Sequence, residues 1–511
     1  MRAGTSSSAI AFVIASASAF AGCGSDELFE PRLAANERLL AREAVATFGM
    51  DDQGLEQLAV IGDIDGDGID DAAVRSYFLE GLDPQARHTG AVYVVYGGNL
   101  SGPIDVSTLP SLTGVGESGR IAQLGDVDGD GLADFLVGAR TAGICRSPEE
   151  TTCEDGGRGG VYLVYGSATR LRGATPTADT GLYLRYDTPF VDMSRPAGLG
   201  DLDGDGNPDF AISARLFPVT DGPVNVFVFY GKGVRQSGTL DLASTAAAVI
   251  STPTFQVPGI ARAGDVDGDG YGDVLLRMSQ GTTPEGVRLI HGGPKRLAGT
   301  IAVGDLGAPQ FADGDRHLNV GLGAALGDLD GDGLDDFCLF SYKETGTLSY
   351  STIQLLYYGR AGSFAPIGVD GADATFVMSG AGHTKLAGGD VDGDGRRDLL
   401  VSDAGLYDRN GAVHLLRGDG TRLSGIIDLA MRATTYVGMP LRGVICGYTM
   451  SSDCIEHAAV GSDIEIGDLT GDHRADILIG AATNQGVLPV LGVHGSSLAH
   501  AYLVSPSREK P

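Results

Sequence analysis

Asp126-Val127-Asp128-Gly129-Asp130-Gly131-Leu132-Ala133-Asp134, followed by Phe135-Leu136-Val137, decides how the rest of the chain is read. Asp at positions 1, 3 and 5 of a tight loop turns three carboxylates toward one point. Gly at positions 4 and 6 supplies the positive-φ backbone such a turn demands. The carbonyl of Leu132 at position 7 and the carboxylate of Asp134 at position 9 complete a cage of hard oxygens suited to Ca²⁺. The apolar run that follows is short and rich in β-branched and aromatic residues, so it predicts a buried strand.

The same pattern recurs along the chain. Its carboxylates are Asp63, Asp65, Asp67 and Asp71; Asp126, Asp128, Asp130 and Asp134; Asp201, Asp203, Asp205 and Asp209; Asp265, Asp267, Asp269 and Asp273; Asp328, Asp330, Asp332 and Asp336; and Asp390, Asp392, Asp394 and Asp398. A seventh, degenerate copy keeps Asp468, Asp472 and Asp476 but has Thr470 at position 3 and His473 at position 6. With less charge and a stiffer turn it is expected to bind more weakly or stand empty, so six strong Ca²⁺ sites and a weak seventh are predicted. Position 7 varies freely (Ile69, Asn207, Tyr271, Leu334, Arg396), as expected where only a carbonyl is used. Pro208, at position 8 of the third loop, removes no ligand.

An EF-hand needs a bidentate Glu at position 12 and flanking helices. Position 12 here is Val74, Val137, Ile212, Leu276, Leu339, Val401 or Ile479, so that reading fails in every copy. Mg²⁺ is disfavoured because it keeps several waters. Plain turn chemistry accounts for the Asp-Gly runs but gives no reason for an acid at position 9.

Successive loops begin 62 to 78 residues apart. A short segment precedes each loop, and a second strand signature, such as Gly160-Val161-Tyr162-Leu163-Val164-Tyr165-Gly166, follows its apolar run. Segments such as Ala374-Thr375-Phe376-Val377-Met378 supply a fourth strand. Four strands per repeat with no sustained helical period is the size of a propeller blade. Phe48-Gly49 and Gly138-Ala139 match the pieces that name the FG-GAP repeat, and residues 41–505 resemble the seven-bladed β-propeller at the head of integrin α subunits. The resemblance implies an all-β, seven-bladed β-propeller with a Ca²⁺ loop in each blade. Residues near Val45–Phe48 are expected to complete the last blade, because little chain follows Ala499–Val504. In integrin heads, to which this chain is similar, the metal loops lie on the face away from the ligand.

Composition narrows the function. The chain has 511 residues, 36 Lys+Arg against 66 Asp+Glu, and a net charge of −30. That excludes a generic nucleic-acid binder, which needs a basic face. The loops hold 27 of the acids, and seven Ca²⁺ would bring the net charge to −16. Residues 1–22 read as an export signal. Phe20-Ala21-Gly22-Cys23 resembles the lipobox of bacterial lipoproteins, which implies lipidation at Cys23; cleavage after Ala21 is the competing reading. Residues 23–40 would then be a tether and 506–511 a C-terminal tail. Cys145 with Cys153, and Cys446 with Cys454, can close short disulfide loops in an exported protein, and Cys338 reads as a buried hydrophobe. No later stretch is long and apolar enough to span a bilayer, so the only expected membrane contact is a lipid anchor at the cell envelope; a secreted or periplasmic protein is the alternative.

No Gly-x-Ser-x-Gly, His-Glu-x-x-His or Walker loop occurs, and His291 and His414 fall in strand signatures. A non-catalytic binding or adhesion protein is therefore expected, with an unknown protein or glycan as partner. Its candidate contact segments are the inserts 75–89, 140–158, 214–222, 342–352 and 436–459. A polysaccharide-active enzyme and a lectin-like module are the alternatives. Arg417-Gly418-Asp419 spells a tripeptide that integrins recognise, and in a chain this rich in Gly and Asp it reads as chance.

Overall fold

The computed structural model describes residues 35–49, 54–77, 91–115, 120–139, 159–185, 191–216, 224–252, 259–280, 283–306, 310–312, 319–346, 349–362, 364, 371–378, 385–404, 411–437, 458–483 and 500–505. Cys23, both expected cysteine pairs and most of the inserts lie outside these residues. The described chain forms seven sheets, one per acidic loop. Each blade runs from an inner strand a through antiparallel strands b and c to an outer strand d. In blade 2 these are Ile121–Gly125, Asp134–Ala139, Gly160–Val164 and Gly181–Arg185. Inner strands of neighbouring blades touch in succession, and that of blade 7 (Ala458–Gly467) touches that of blade 1 (Gly54–Gly62), so the ring closes. This is a seven-bladed β-propeller.

Both faces of each blade are covered by a neighbour, which is why strand b reads as an unbroken apolar run: every residue of Asp134–Ala139 is buried. The core is accordingly divided into seven clusters, one per junction. Phe135, Val137 and Val164 of blade 2 pack with Ile61, Ala73 and Val94 of blade 1. Leu136, Leu163 and Leu184, on the other face of blade 2, pack with Phe210, Ile212 and Phe227 of blade 3. Alternation along one strand thus serves two junctions.

Ala46–Gly49 pairs antiparallel with His500–Val504 as strand d of blade 7, as the sequence predicts. Phe48 is buried there against Leu58, Leu478 and Leu503. The structure adds a strand that sequence periodicity does not reveal. In six blades a short segment from the next blade pairs parallel with strand d: Ala174–Pro176, from the c–d connection of blade 2, lies along Ser111–Thr113 of blade 1. Glu37–Leu39, ahead of the closing strand, does the same for blade 6. Segment 342–352 is no irregular insert, because Asp336–Gly346 and Ser349–Tyr357 continue there as a paired hairpin.

Candidate metal centres

Each acidic loop joins strands a and b, so all seven lie on one face of the ring. In the second loop Asp126 Oδ1 accepts from the N–H groups of Gly129 at 2.7 Å and Asp130 at 3.0 Å, and its Oδ2 from Gly131 at 2.8 Å. Asp128 Oδ1 accepts from Asp130 N–H at 3.2 Å, and Asp130 Oδ1 from Leu132 N–H at 3.0 Å. Gly129 and Gly131 have φ of 77° and 88°, as the turn requires. One oxygen each from Asp126, Asp128 and Asp134 lies within 4.8 Å of the others, and the first and third loops repeat that grouping. The donor set is hard oxygen throughout, which fits Ca²⁺.

Position 9 has a second role that the sequence alone does not disclose. Asp134 is fully buried; its Oδ2 accepts from Val127 N–H at 2.9 Å and its Oδ1 from Gly166 N–H at 2.8 Å. The carboxylate therefore ties its own loop to the end of strand c. Burial, reinforced by the nearby Asp128 and Asp130 charges, raises the Asp134 pKa to about 7 against the pull of those two backbone hydrogen bonds. Asp71, Asp209 and Asp336 are raised to about 7 in the same way. Without an ion, position 9 is a buried acid under strain, and a divalent cation is the partner that would keep it ionised.

Neighbouring loops are also linked through the backbone. The position-8 N–H donates to the position-1 carbonyl of the preceding loop in Ala133 to Asp63 at 2.8 Å, Gly272 to Asp201 at 2.7 Å, Asp335 to Asp265 at 2.9 Å, Ala475 to Asp390 at 2.9 Å and Asp70 to Asp468 at 3.0 Å. Pro208 has no N–H to donate, so the third loop lacks this link to the second. That consequence lies outside any ligand count.

The seventh loop keeps the same turn despite its substitutions. Asp468 accepts from Gly471 at 2.8 Å, Asp472 at 3.1 Å and His473 at 2.8 Å. His473 adopts φ 63°, the left-handed conformation that glycine takes in the other loops and that costs a residue with a Cβ. Asp476 Oδ2 accepts from Thr470 N–H at 2.7 Å, and the Ser505 side chain stands beside the same carboxylate in place of a backbone donor from the end of strand c. In sequence, Pro506 stands where the other repeats carry the glycine whose N–H donates to the position-9 carboxylate.

Arginines are the residues that sequence reasoning missed. In the c–d connection an arginine stands four residues after the glycine that closes strand c: Arg170 after Tyr165-Gly166, Arg235 after Tyr230-Gly231, Arg296 after His291-Gly292 and Arg422 after Arg417-Gly418. Arg235, from blade 3, reaches back to the second loop, with Nε on Asp128 Oδ2 at 2.5 Å and Nη2 on Asp130 Oδ2 at 2.6 Å. It lies over the Tyr165 ring at 4.7 Å, and the Tyr165 hydroxyl accepts from Gln236 N–H at 2.9 Å. Arg170 grips Asp65 and Asp67, Arg296 grips Asp203 and Asp205, and Arg422 grips Asp330 and Asp332, each over the corresponding tyrosine. The recurring Gly-x-x-x-Arg spacing was the available signal.

The remaining loops differ together with their neighbours. In the fourth, His291 stands where the tyrosine would be, and the residue four after Gly359, where the arginine would be, is Ser363. His291 lies just past its strand rather than within it, with Nδ1 3.1 Å from Asp267 and 3.2 Å from Asp273. In the sixth, Arg417 of the same blade lies 3.3 Å from both Asp392 and Asp398, while Gly418 N–H donates to Asp398 at 2.7 Å. The Arg417-Gly418-Asp419 tripeptide is thus part of a loop clasp. His414 is buried beside Thr435, and Cys338 is a buried free thiol.

Family models for the FG-GAP-like repeat match residues 201–276 and 328–401, and one for the FG-GAP repeat matches 118–164. Those segments include five of the seven loops. The matched segments are FG-GAP repeats. Among curated relatives, integrin α-4 of Xenopus laevis is 28% identical over 208 residues, which is 40% of this chain and 18% of that one. Integrin α-PS2 of Drosophila melanogaster is 28% identical over 44% of this chain and 15% of that one. Integrin α-V of Gallus gallus is 27% identical over 47% and 21% respectively. The matches therefore span about a fifth or less of the integrin chains. Among solved structures, an α-L-arabinofuranosidase from Fusarium graminearum in complex with an iminosugar inhibitor covers 91% of this chain and 94% of that chain at 10% identity, and its TM-score of 0.36 is too low to carry an argument. Among the described residues no helix is long and apolar enough to cross a membrane.

Proposed function

We propose that the chain is an exported, Ca²⁺-stabilised propeller that acts as a non-catalytic binding or adhesion protein, held at the cell envelope by a lipid on Cys23. The observation that carries this reading is a division between the two ends of the ring. Acidic loops occupy the a–b end of all seven blades. The inserts occupy b–c and d–a connections, which antiparallel pairing directs to the opposite end. In loops one to six the carboxylates at positions 1, 3, 5 and 9 and the carbonyl at position 7 would hold the ion, and the seventh loop would offer Asp468, Asp472 and Asp476. Bound there, Ca²⁺ would supply the positive charge that clustered carboxylates lack. The ligand, a protein or a glycan, would then meet segments such as 140–158 and 436–459, as loops on a rigid scaffold commonly do.

The test is capture on protein and glycan arrays with the mature chain in calcium. Chains with segment 140–158 or 436–459 replaced by a short Gly-Ser linker are the comparison. Loss of capture with an unchanged melting temperature supports the reading. Capture that survives both replacements, or turnover of a bound glycan, refutes it.

A further inference from the structure

We propose that the arginine of the c–d connection is a built-in counter-cation that sorts the acidic loops into two classes. Loops one, two, three and five are clasped and keep their shape without an ion, whereas loop four depends on one. The proposal rests on the Ca²⁺ reading above and adds to it a site-by-site dependence on calcium.

Three observations carry it. The clasping guanidinium bridges the carboxylates of positions 3 and 5, the pair whose mutual repulsion an ion would otherwise relieve. It is held in place independently of those carboxylates, since it also lies over the tyrosine ring of the preceding blade. Finally, the substitutions go together. Loop seven, which has Thr470 instead of the position-3 carboxylate, is met by a blade-1 connection in which Gly98 N–H donates to Leu469 and the residue four after Gly97 is Ser101, not an arginine. Loop four keeps all four carboxylates yet has lost both clasp residues at once, to His291 and Ser363. Phe364, one residue further on, is buried among Phe311, Phe337 and Tyr357, and Arg360 of the same connection pairs with Asp373 instead. Among the described residues, therefore, no guanidinium bridges Asp267 and Asp269, and the group that faces Asp267 is the His291 imidazole at 3.1 Å.

Electrostatics then sets the direction. A guanidinium stabilises the ion-free loop more than the loaded one, because Ca²⁺ both neutralises the carboxylates and repels the arginine. Clasped loops should respond little to chelation, and loop four strongly.

Hydrogen–deuterium exchange on the full chain, in 1 mM calcium and after chelation, tests this alongside equilibrium dialysis of calcium. Chelation is expected to speed amide exchange in residues 265–273 about tenfold more than in residues 126–134. Arg235→Ala, at a half-exposed side chain, should make residues 126–134 respond to chelation as residues 265–273 do, with no change in calcium. Arg422→Ala should do the same for residues 328–336. If dialysis shows calcium bound but chelation loosens all loops equally, or the arginine variants behave as wild type, the two-class proposal fails and the Ca²⁺ reading stands. If dialysis shows no bound calcium, the Ca²⁺ reading fails and the proposal with it.

Discussion

Replacing Asp134 by Asn should destabilise the protein in calcium and fail to do so in chelator. Asn keeps the shape and one acceptor, so one buried backbone N–H, from Val127 or Gly166, loses its partner at about 1–3 kcal/mol. Against that stands the removal of a buried charge. The folded-state pKa of Asp134 is raised from 3.8 to about 7. For an acid with a raised pKa, the folded chain holds its proton where the unfolded chain has released it. Its contribution is complete below pH 3.8 and lost as pH rises toward 7. At pH 8 without an ion, the whole shift counts against the fold, and at 1.36 kcal/mol per unit it amounts to roughly 4 kcal/mol at most. The two effects nearly cancel in chelator, or favour the variant. In calcium the wild-type carboxylate is repaid by the ion; for Kd near ~10⁻⁵ M and ~1 mM Ca²⁺ the loop would gain about 2.7 kcal/mol, which Asn forfeits. Urea unfolding at pH 8 of both proteins, with 1 mM calcium and with chelator, reads the difference. Equal destabilisation in both conditions would refute the reasoning, because the carboxylate would then matter only as a hydrogen-bond acceptor.

Three further outcomes follow from the packing and the backbone. Phe48→Ala should cost about 3–5 kcal/mol by emptying the junction where the N-terminal strand closes the ring, and an unchanged urea midpoint would mean that closure adds little. His473→Gly should stabilise by about 1 kcal/mol, since glycine takes φ 63° without strain; a lower melting temperature would contradict it. Burial pushes the His414 pKa below 6.5, so its stabilisation is complete above that value and lost as pH falls and the unfolded chain takes up a proton that the folded chain refuses. His414→Gln should therefore narrow the difference in melting temperature between pH 7.5 and pH 5.5, and an unaltered difference would show that this histidine is not part of the acid response.

Much of the architecture was legible because two short-range rules operate together. The Asp-Gly spacing marks every a–b turn, and the apolar run after each loop marks strand b because both of its faces are covered. Closure by Ala46–Gly49 was readable from the shortage of chain after Val504. The fifth, parallel strand was not: Ala174–Pro176 is too short and too polar for any periodicity, and its pairing depends on the neighbouring blade. The ligand positions were legible as a motif, but their surroundings were not. Asp134 takes two backbone donors, one of them 32 residues away in sequence. Arg235 reaches Asp128 across 107 residues, and no local pattern couples such positions. His291 looked like a strand residue because the apolar signature runs up to it, yet it stands one residue beyond the strand, among carboxylates. The effect of Pro208 is likewise invisible until the loops are seen linked around the ring.

Calcium uptake by the purified, chelator-stripped chain tests the central claim most directly. Equilibrium dialysis against radioactive calcium near ~10⁻⁵ M, the range typical of Asp-rich loops, should find several equivalents bound per chain, approaching six as calcium rises, with a seventh only at higher concentration. Retention no greater than that of a control protein of similar charge would contradict it.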